Sequence, residues 1–138
     1  MYSCVAIALS LIFSICILFS CGRNTDRVIE QTVAAANKEC PIMYPDAGMR
    51  MDKVTNPEKG VMEYVYTMLD RTAEEFLQSN DIDELAAMSK KEMGIAFKNS
   101  TDSDLNVIKR ANVTVRNSFY DKNGALLYSF DVTPDDYK

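Results

Sequence analysis

An apolar run from Cys4 to Phe19 opens the chain and contains no charged residue. Beyond it, apolar and polar positions recur with two different periods. Over residues 27–38, Ile29, Val33 and Ala36 fall on one helical face, with Thr25 or Asp26 placed to cap the helix. Residues 37–48 are the least regular stretch. Pro41 moves Cys40 out of the helical region and ends the helix, and Pro45 and Gly48 mark further turns. Period two takes over at residues 49–54, where Met49 and Met51 alternate with Arg50 and Asp52. It returns at residues 61–69, after the turn cluster Asn56-Pro57-Glu58-Lys59-Gly60. There Met62, Tyr64, Tyr66 and Met68 share one face, and Val61, Val65 and Leu69 share the other.

Residues 72–98 return to helical spacing, with a break near Ser79-Asn80. Asp81 can cap the second part, and Glu84 has the offset of a capping box. Ile82, Leu85, Ala86, Ser89, Met93, Ala96 and Phe97 form its apolar stripe. Asp102 or Ser103 caps a short helix carrying Leu105, Val107 and Ile108, which Asn112 can end in the left-handed conformation. Residues 113–120 and 125–132 are strands joined by Asp121-Lys122-Asn123-Gly124, a hairpin turn because Asn-Gly tolerates positive φ. Val113, Val115 and Phe119 share a face of the first strand; Leu126, Tyr128, Phe130 and Val132 share a face of the second. Thr133 to Lys138 reads as an acidic tail. The order helix, hairpin, helices, hairpin predicts an α+β two-layer sandwich: a four-stranded antiparallel sheet from two hairpins, with helices packed on one face.

The opening run, about 16 residues, is short for a helical membrane span and suits a signal-peptide core. It closes on Leu18-Phe19-Ser20-Cys21, which resembles the lipobox of bacterial lipoproteins. The resemblance implies that the Cys21 thiol receives a diacylglycerol and that cleavage before it leaves an acylated N-terminus. Residues 1–20 are then a lipoprotein signal peptide, residues 21–26 a lipidated tether and residues 27–138 a single α+β domain. No Lys or Arg precedes the run, so the true start can lie upstream. An uncleaved anchor, or a plain cleaved signal, remains an alternative. For an uncleaved anchor, Arg23 and Arg27 would place the domain in the cytoplasm by the positive-inside rule.

The domain itself is similar to a family of small bacterial envelope proteins. The shared features are the turn Asn37-Lys38-Glu39-Cys40-Pro41, the strand Tyr64-Val65-Tyr66-Thr67, the hairpin Phe119-Tyr120-Asp121-Lys122-Asn123-Gly124 and the ending Val132-Thr133-Pro134-Asp135. The resemblance spans about residues 27–136. It implies a fold and an envelope location, and it implies no activity.

All 20 Asp and Glu and all 15 Lys and Arg follow residue 20, so the mature part keeps the net charge of -5. An acidic domain of this size is a poor nucleic-acid binder and does not adhere to anionic lipid by charge. There is no His, which removes Ser-His-Asp and Cys-His catalysis and the usual general base at neutral pH. With Cys4 and Cys16 in the signal and Cys21 acylated, Cys40 stands alone, and no disulfide can form within the domain. As a nucleophile Cys40 is poorly placed, because a helix C-terminus and the neighbouring Glu39 both raise a thiol pKa. Its other role is that of a small residue closing the turn. Tyr64 and Tyr66, with Met62 and Met68, line a small-ligand groove near Cys40 if they are exposed, and the core if they face the helices. Asp81, Asp83, Glu84, Glu74 and Glu75 lack the order of a calcium loop and read as caps and a solvated face. No residue set implies a metal, a cofactor or a catalytic site. The chain therefore reads as a non-enzymatic, lipid-anchored envelope protein that meets a protein partner or envelope component. The alternative is a small-ligand-binding lipoprotein. Gly22, in place of an inner-membrane retention Asp, favours the outer membrane.

Overall fold

The computed structural model describes residues 25–138. The signal-type run and Cys21 lie outside the described residues. Helix α1 (Thr25–Glu39) leads through a cis Cys40–Pro41 bond to a short strand β1 (Ile42–Tyr44). A 3-10 turn (Pro45–Ala47) and Gly48, at φ 60°, connect β1 to β2 (Met49–Thr55) and then β3 (Val61–Met68). Helices α2 (Ala73–Ser79), α3 (Ile82–Asn99) and α4 (Ser103–Arg110) follow, then β4 (Thr114–Tyr120), β5 (Leu126–Val132) and a last turn of helix, α5 (Pro134–Tyr137). Among the described residues no helix is long and apolar enough to cross a membrane.

The fold is α+β, but its sheet has five strands and is mixed, in the order β1-β2-β3-β4-β5. Two features correct the four-stranded antiparallel expectation. β1 forms inside the irregular stretch, pairing Ile42 with Met51 and Tyr44 with Met49. At three residues it is too short to show a period of its own. The second correction is that β3 and β4 run parallel, with Val61 beside Thr114 and Tyr66 beside Phe119. Alternation of side chains is the same in parallel and antiparallel strands, so the pattern cannot tell them apart. The three-helix crossover decides it, because it returns the chain to the starting end of β3. There the Thr114 N–H donates to the Gly60 carbonyl at 2.9 Å.

The Tyr-Met face of β3 is the buried one. Tyr64 and Tyr66 are 1% and 0% exposed, packed with Met49, Met51, Met62 and the apolar stripes of the helices. Two bulges tune which residues join them. Asp52 is an extra residue in β2, so Val54 rather than Lys53 follows Met49 and Met51 inward. Leu127 is extra in β5, which turns Leu126 outward to 54% exposure. Sequence alternation had grouped Leu126 with Tyr128, Phe130 and Val132, and the bulge reverses it.

Aromatic rings run across this buried face as a row. Tyr66 stacks on Phe119 with centroids 4.9 Å apart, Phe119 on Tyr128 at 4.7 Å, and Tyr128 on Phe76 of α2 at 5.9 Å. The row joins the two hairpins through the parallel pair and ties α2 to the sheet.

Local caps follow the sequence closely, with one displacement. Asp102 accepts the N–H groups of Asp104 and Leu105, and Asn112 is left-handed at φ 55°. Full capping boxes sit at Thr72 and Glu75 on α2 and at Thr133 and Asp136 on α5, whereas Asp81 makes only the half that accepts the Glu84 N–H. The C-terminal stretch is not a free tail. Tyr137 is 2% exposed, its hydroxyl donates to the Val113 carbonyl at 2.7 Å, and its ring packs on Phe97. Asn37 reaches from α1 to the edge of β2 beyond the end of β1. Its amide accepts the Val54 N–H at 2.9 Å and donates to the Val54 carbonyl at 2.8 Å, replacing the strand pairing that β1 is too short to give.

At the other end of the sheet, Asp121 holds the β4–β5 turn to α2. Its carboxylate accepts N–H groups from Ala125, Asn123 and Ala73, each at 2.8 Å. These bonds, the Ala125 N–H foremost, lower its pKa, and the Thr72 N–H does the same for Glu75.

Two outcomes are expected. Truncating the middle of the aromatic row, Phe119→Ala, costs about 3–5 kcal/mol in urea unfolding. Asp121 and Glu75 bind fewer protons folded than unfolded. Their contribution is therefore complete above the ordinary carboxylate range near pH ~4 and is lost as pH falls through the lower folded values. The urea midpoint of the native chain should drop on acidification. That of Asp121→Asn should start lower at neutral pH and drop less.

Candidate functional site: the open face of the sheet

Among the described residues, helices cover one face of the sheet and the opposite face stays open. Its side chains come from the polar positions of the strands: Arg50 and Asp52 on β2, Glu63 and Thr67 on β3, Arg116, Ser118 and Tyr120 on β4, Ser129 and Asp131 on β5. They are arranged as cross-strand ties. Glu63 sits centrally, accepting the Thr55 hydroxyl at 3.1 Å on one side and the Ser118 hydroxyl at 2.6 Å on the other. Arg116 grips Asp131 through two bonds of 2.8 and 2.9 Å and reaches Glu58 at 3.0 Å. Arg50 and Thr67 both donate to Asp52.

Two shallow depressions lie side by side here. One, of about 460 Å³, is bordered by Asp52, Lys53, Thr55, Glu63 and Thr67. The other, of about 370 Å³, is bordered by Arg116, Ser118, Ser129 and Asp131. Glu63 and Tyr120 belong to both. Val65 and Leu126 add apolar surface at their rims. The face is therefore broad, shallow and internally charge-paired, with aromatic and aliphatic patches. Ser118 is 2% exposed, so its contact with Glu63 ties β3 to β4 and offers no nucleophile to solvent. Such a surface suits a protein contact better than the enclosure of a small molecule.

The residues singled out in the sequence lie elsewhere. Tyr64, Tyr66 and Cys40 do come together, with Tyr44, on the helical side of the sheet. The groove expected there is not open, because both strand tyrosines are buried beneath the helices. Burial and the neighbouring Cys40 push Tyr44 up to about 12, and burial also raises Tyr64 and Tyr66. Among the described residues, the hydroxyls of Tyr44 and Tyr66 are buried without a hydrogen-bond partner. Cys40 is half-buried with a free thiol. Its pKa is raised by burial first, then by Asp52 and Glu39. The Glu39 effect is legible in the sequence. The contribution of Asp52 is tertiary. Of the carboxylates weighed for calcium, Glu75 and Asp81 serve as helix caps, and no cluster of three His, Cys, Asp or Glu suited to a metal occurs among the described residues. The open face was not picked out as a site in the sequence. The signal lay in the partners of the buried stripe, the polar positions Glu63, Thr67, Arg116 and Ser118.

No protein-family model and no curated protein sequence matches the chain. Among solved structures, it superposes on a candidate secreted protein from Pseudomonas aeruginosa with a TM-score of 0.62. The match covers 87% of this chain and all of that one at 10% identity, and it shows a shared fold. A pilotin of the Vibrio vulnificus type 2 secretion system matches at a TM-score of 0.47 and 12% identity, over 83% of this chain and 94% of that one. That likeness is too loose to carry an argument.

The raised thiol pKa gives a direct expectation for Cys40. Alkylation by iodoacetamide at neutral pH should be at least about tenfold slower in the folded chain than in denaturant, and should speed up as pH rises. Equal rates in the two states would show that folding does not protect the thiol.

Proposed function

We propose that this chain is a lipid-anchored protein of the bacterial cell envelope. Cys21 carries the lipid, and the folded domain binds a partner protein or envelope component without performing chemistry on it. The observation that carries the reading is the tetrad Leu18-Phe19-Ser20-Cys21 at the end of an uncharged apolar run, four residues before the first helix begins at Thr25. A soluble domain placed this close to an acylated cysteine works at a membrane surface. Each buried methylene contributes ~0.8 kcal/mol, so two or three acyl chains hold it there. The open sheet face supports the partner-binding half of the reading. It is the large polar surface that the domain leaves uncovered, and its paired charges and shallow relief match the polar, adaptable surfaces of protein contacts. The outer membrane is the favoured site, on the strength of Gly22 after the acylated residue.

The test is chemical. In a bacterial host, the native chain should fractionate with membranes, and its N-terminal peptide should begin at Cys21 with the mass of a diacylglyceryl or triacyl modification. Cys21→Ser should abolish the modification and shift the protein out of the membrane fraction. A mature product that begins at Met1 would overturn the reading.

A further inference from the structure

We propose that the domain stands on its bilayer by one defined end, with phospholipid headgroups as the surface it meets. The proposal rests on the lipid-anchor reading and adds an orientation to it. The first argument is length. Cys21 and Thr25 are four residues apart, so the tether spans at most about 14 Å even when extended. The second argument is where the tether enters. The Thr25 hydroxyl donates to the Ala111 carbonyl at 2.5 Å, which fixes the start of α1 to the turn between α4 and β4. That turn is joined in its turn to the β2–β3 connection, through Thr114 and Gly60. The lipid therefore pulls on the end of the sheet at which β3 and β4 begin. The exposed side chains of Lys59, Arg110 and Asn112 lie there.

Charge supplies the third argument. The opposite end comprises α2, the start of α3 and the turns around Asp46, Asp70 and Asp121. It holds eight carboxylates, Glu74, Glu75, Asp81, Asp83 and Glu84 completing the set, against Arg71 and Lys122. The excess is six negative charges. Over residues 25–138 as a whole, 20 acidic side chains face 14 basic ones, once Arg23 is set aside from the 15. The whole net charge of the described domain thus sits at the end remote from the tether, and the rest is balanced. Anionic lipid repels that remote end whenever it tips to within a Debye length, about 10 Å at moderate salt. Tether and charge select the same orientation, with the strands of the sheet rising from the membrane and the open face turned sideways toward the aqueous compartment.

The experiment uses the full acylated chain, extracted from membranes, with Cys40→Ser and a single new thiol from Lys59→Cys, Arg110→Cys or Asn123→Cys. Each thiol is labelled with a fluorophore. The protein is then reconstituted into vesicles of phosphatidylethanolamine and phosphatidylglycerol carrying a headgroup-attached quencher. The seven residues of β4 set Asn123 roughly 20 Å farther from the lipid than the other two sites. Quenching at Lys59→Cys and Arg110→Cys should exceed that at Asn123→Cys by roughly threefold or more, given that separation. Circular dichroism matching the native chain confirms that each variant is folded. Equal or inverted quenching in a chain whose N-terminal peptide is acylated overturns the orientation and leaves the anchor standing. A peptide without acyl chains overturns both.

Discussion

The stacking of Tyr66, Phe119 and Tyr128 across three neighbouring strands is the interaction on which the rest of this structure depends. Two hairpins separated by three helices have no covalent reason to share a sheet. They share one because β3 and β4 lie parallel and place these rings at van der Waals distance, with Phe76 extending the row into α2. Each ring pair adds about 0.5–1.5 kcal/mol beyond the area it buries. No disulfide can assist among the described residues, where Cys40 is the free cysteine. Cohesion therefore comes from packing, and the packing is centred on this row.

Burying the aromatic stripe commits the other face of the sheet. Glu63, Arg116, Asp131 and Asp52 occupy that face: Arg116 pairs with Asp131 across β4 and β5, Glu63 accepts the Ser118 hydroxyl from β4, and Asp52 accepts the Thr67 hydroxyl from β3 and the Arg50 side chain of its own strand. These bonds satisfy the polar groups of a sheet face that carries no second helical layer among the described residues. They also leave a flat polar surface with a few apolar points, Val65 and Leu126 among them, as the ground for molecular contact. The core side, by contrast, spends its tyrosines on cohesion: Tyr64 and Tyr66 are closed off from solvent.

The two ends of the sheet differ as much as its two faces. One end gathers the start of α1, the α4–β4 turn and the C-terminal Tyr137, all tied by backbone carbonyls of Ala111 and Val113. The other gathers the hairpin turn held by Asp121 and the acidic starts of α2 and α3.

Local chemistry made much of this legible in the sequence. The caps at Asp102 and Asn112, the helix break after Ser79, the Asn123-Gly124 turn and the alternation in β3 are short-range events, decided by residues a few positions apart. The apolar run ending at Cys21 is equally local. What escaped were the features that need distant residues. The parallel pairing of β3 with β4 depends on the path of a three-helix crossover. The bulges at Asp52 and Leu127 depend on register against a neighbouring strand, and β1 and α5 are too short to show a period and exist by docking on the rest. The same division holds for the site. The sequence by itself determined which side chains of β3 would share a face. Only the tertiary structure decided that the tyrosines of that face go under the helices and the charges opposite them stay in water, because burial belongs to a surface and its cover together and never to one strand alone.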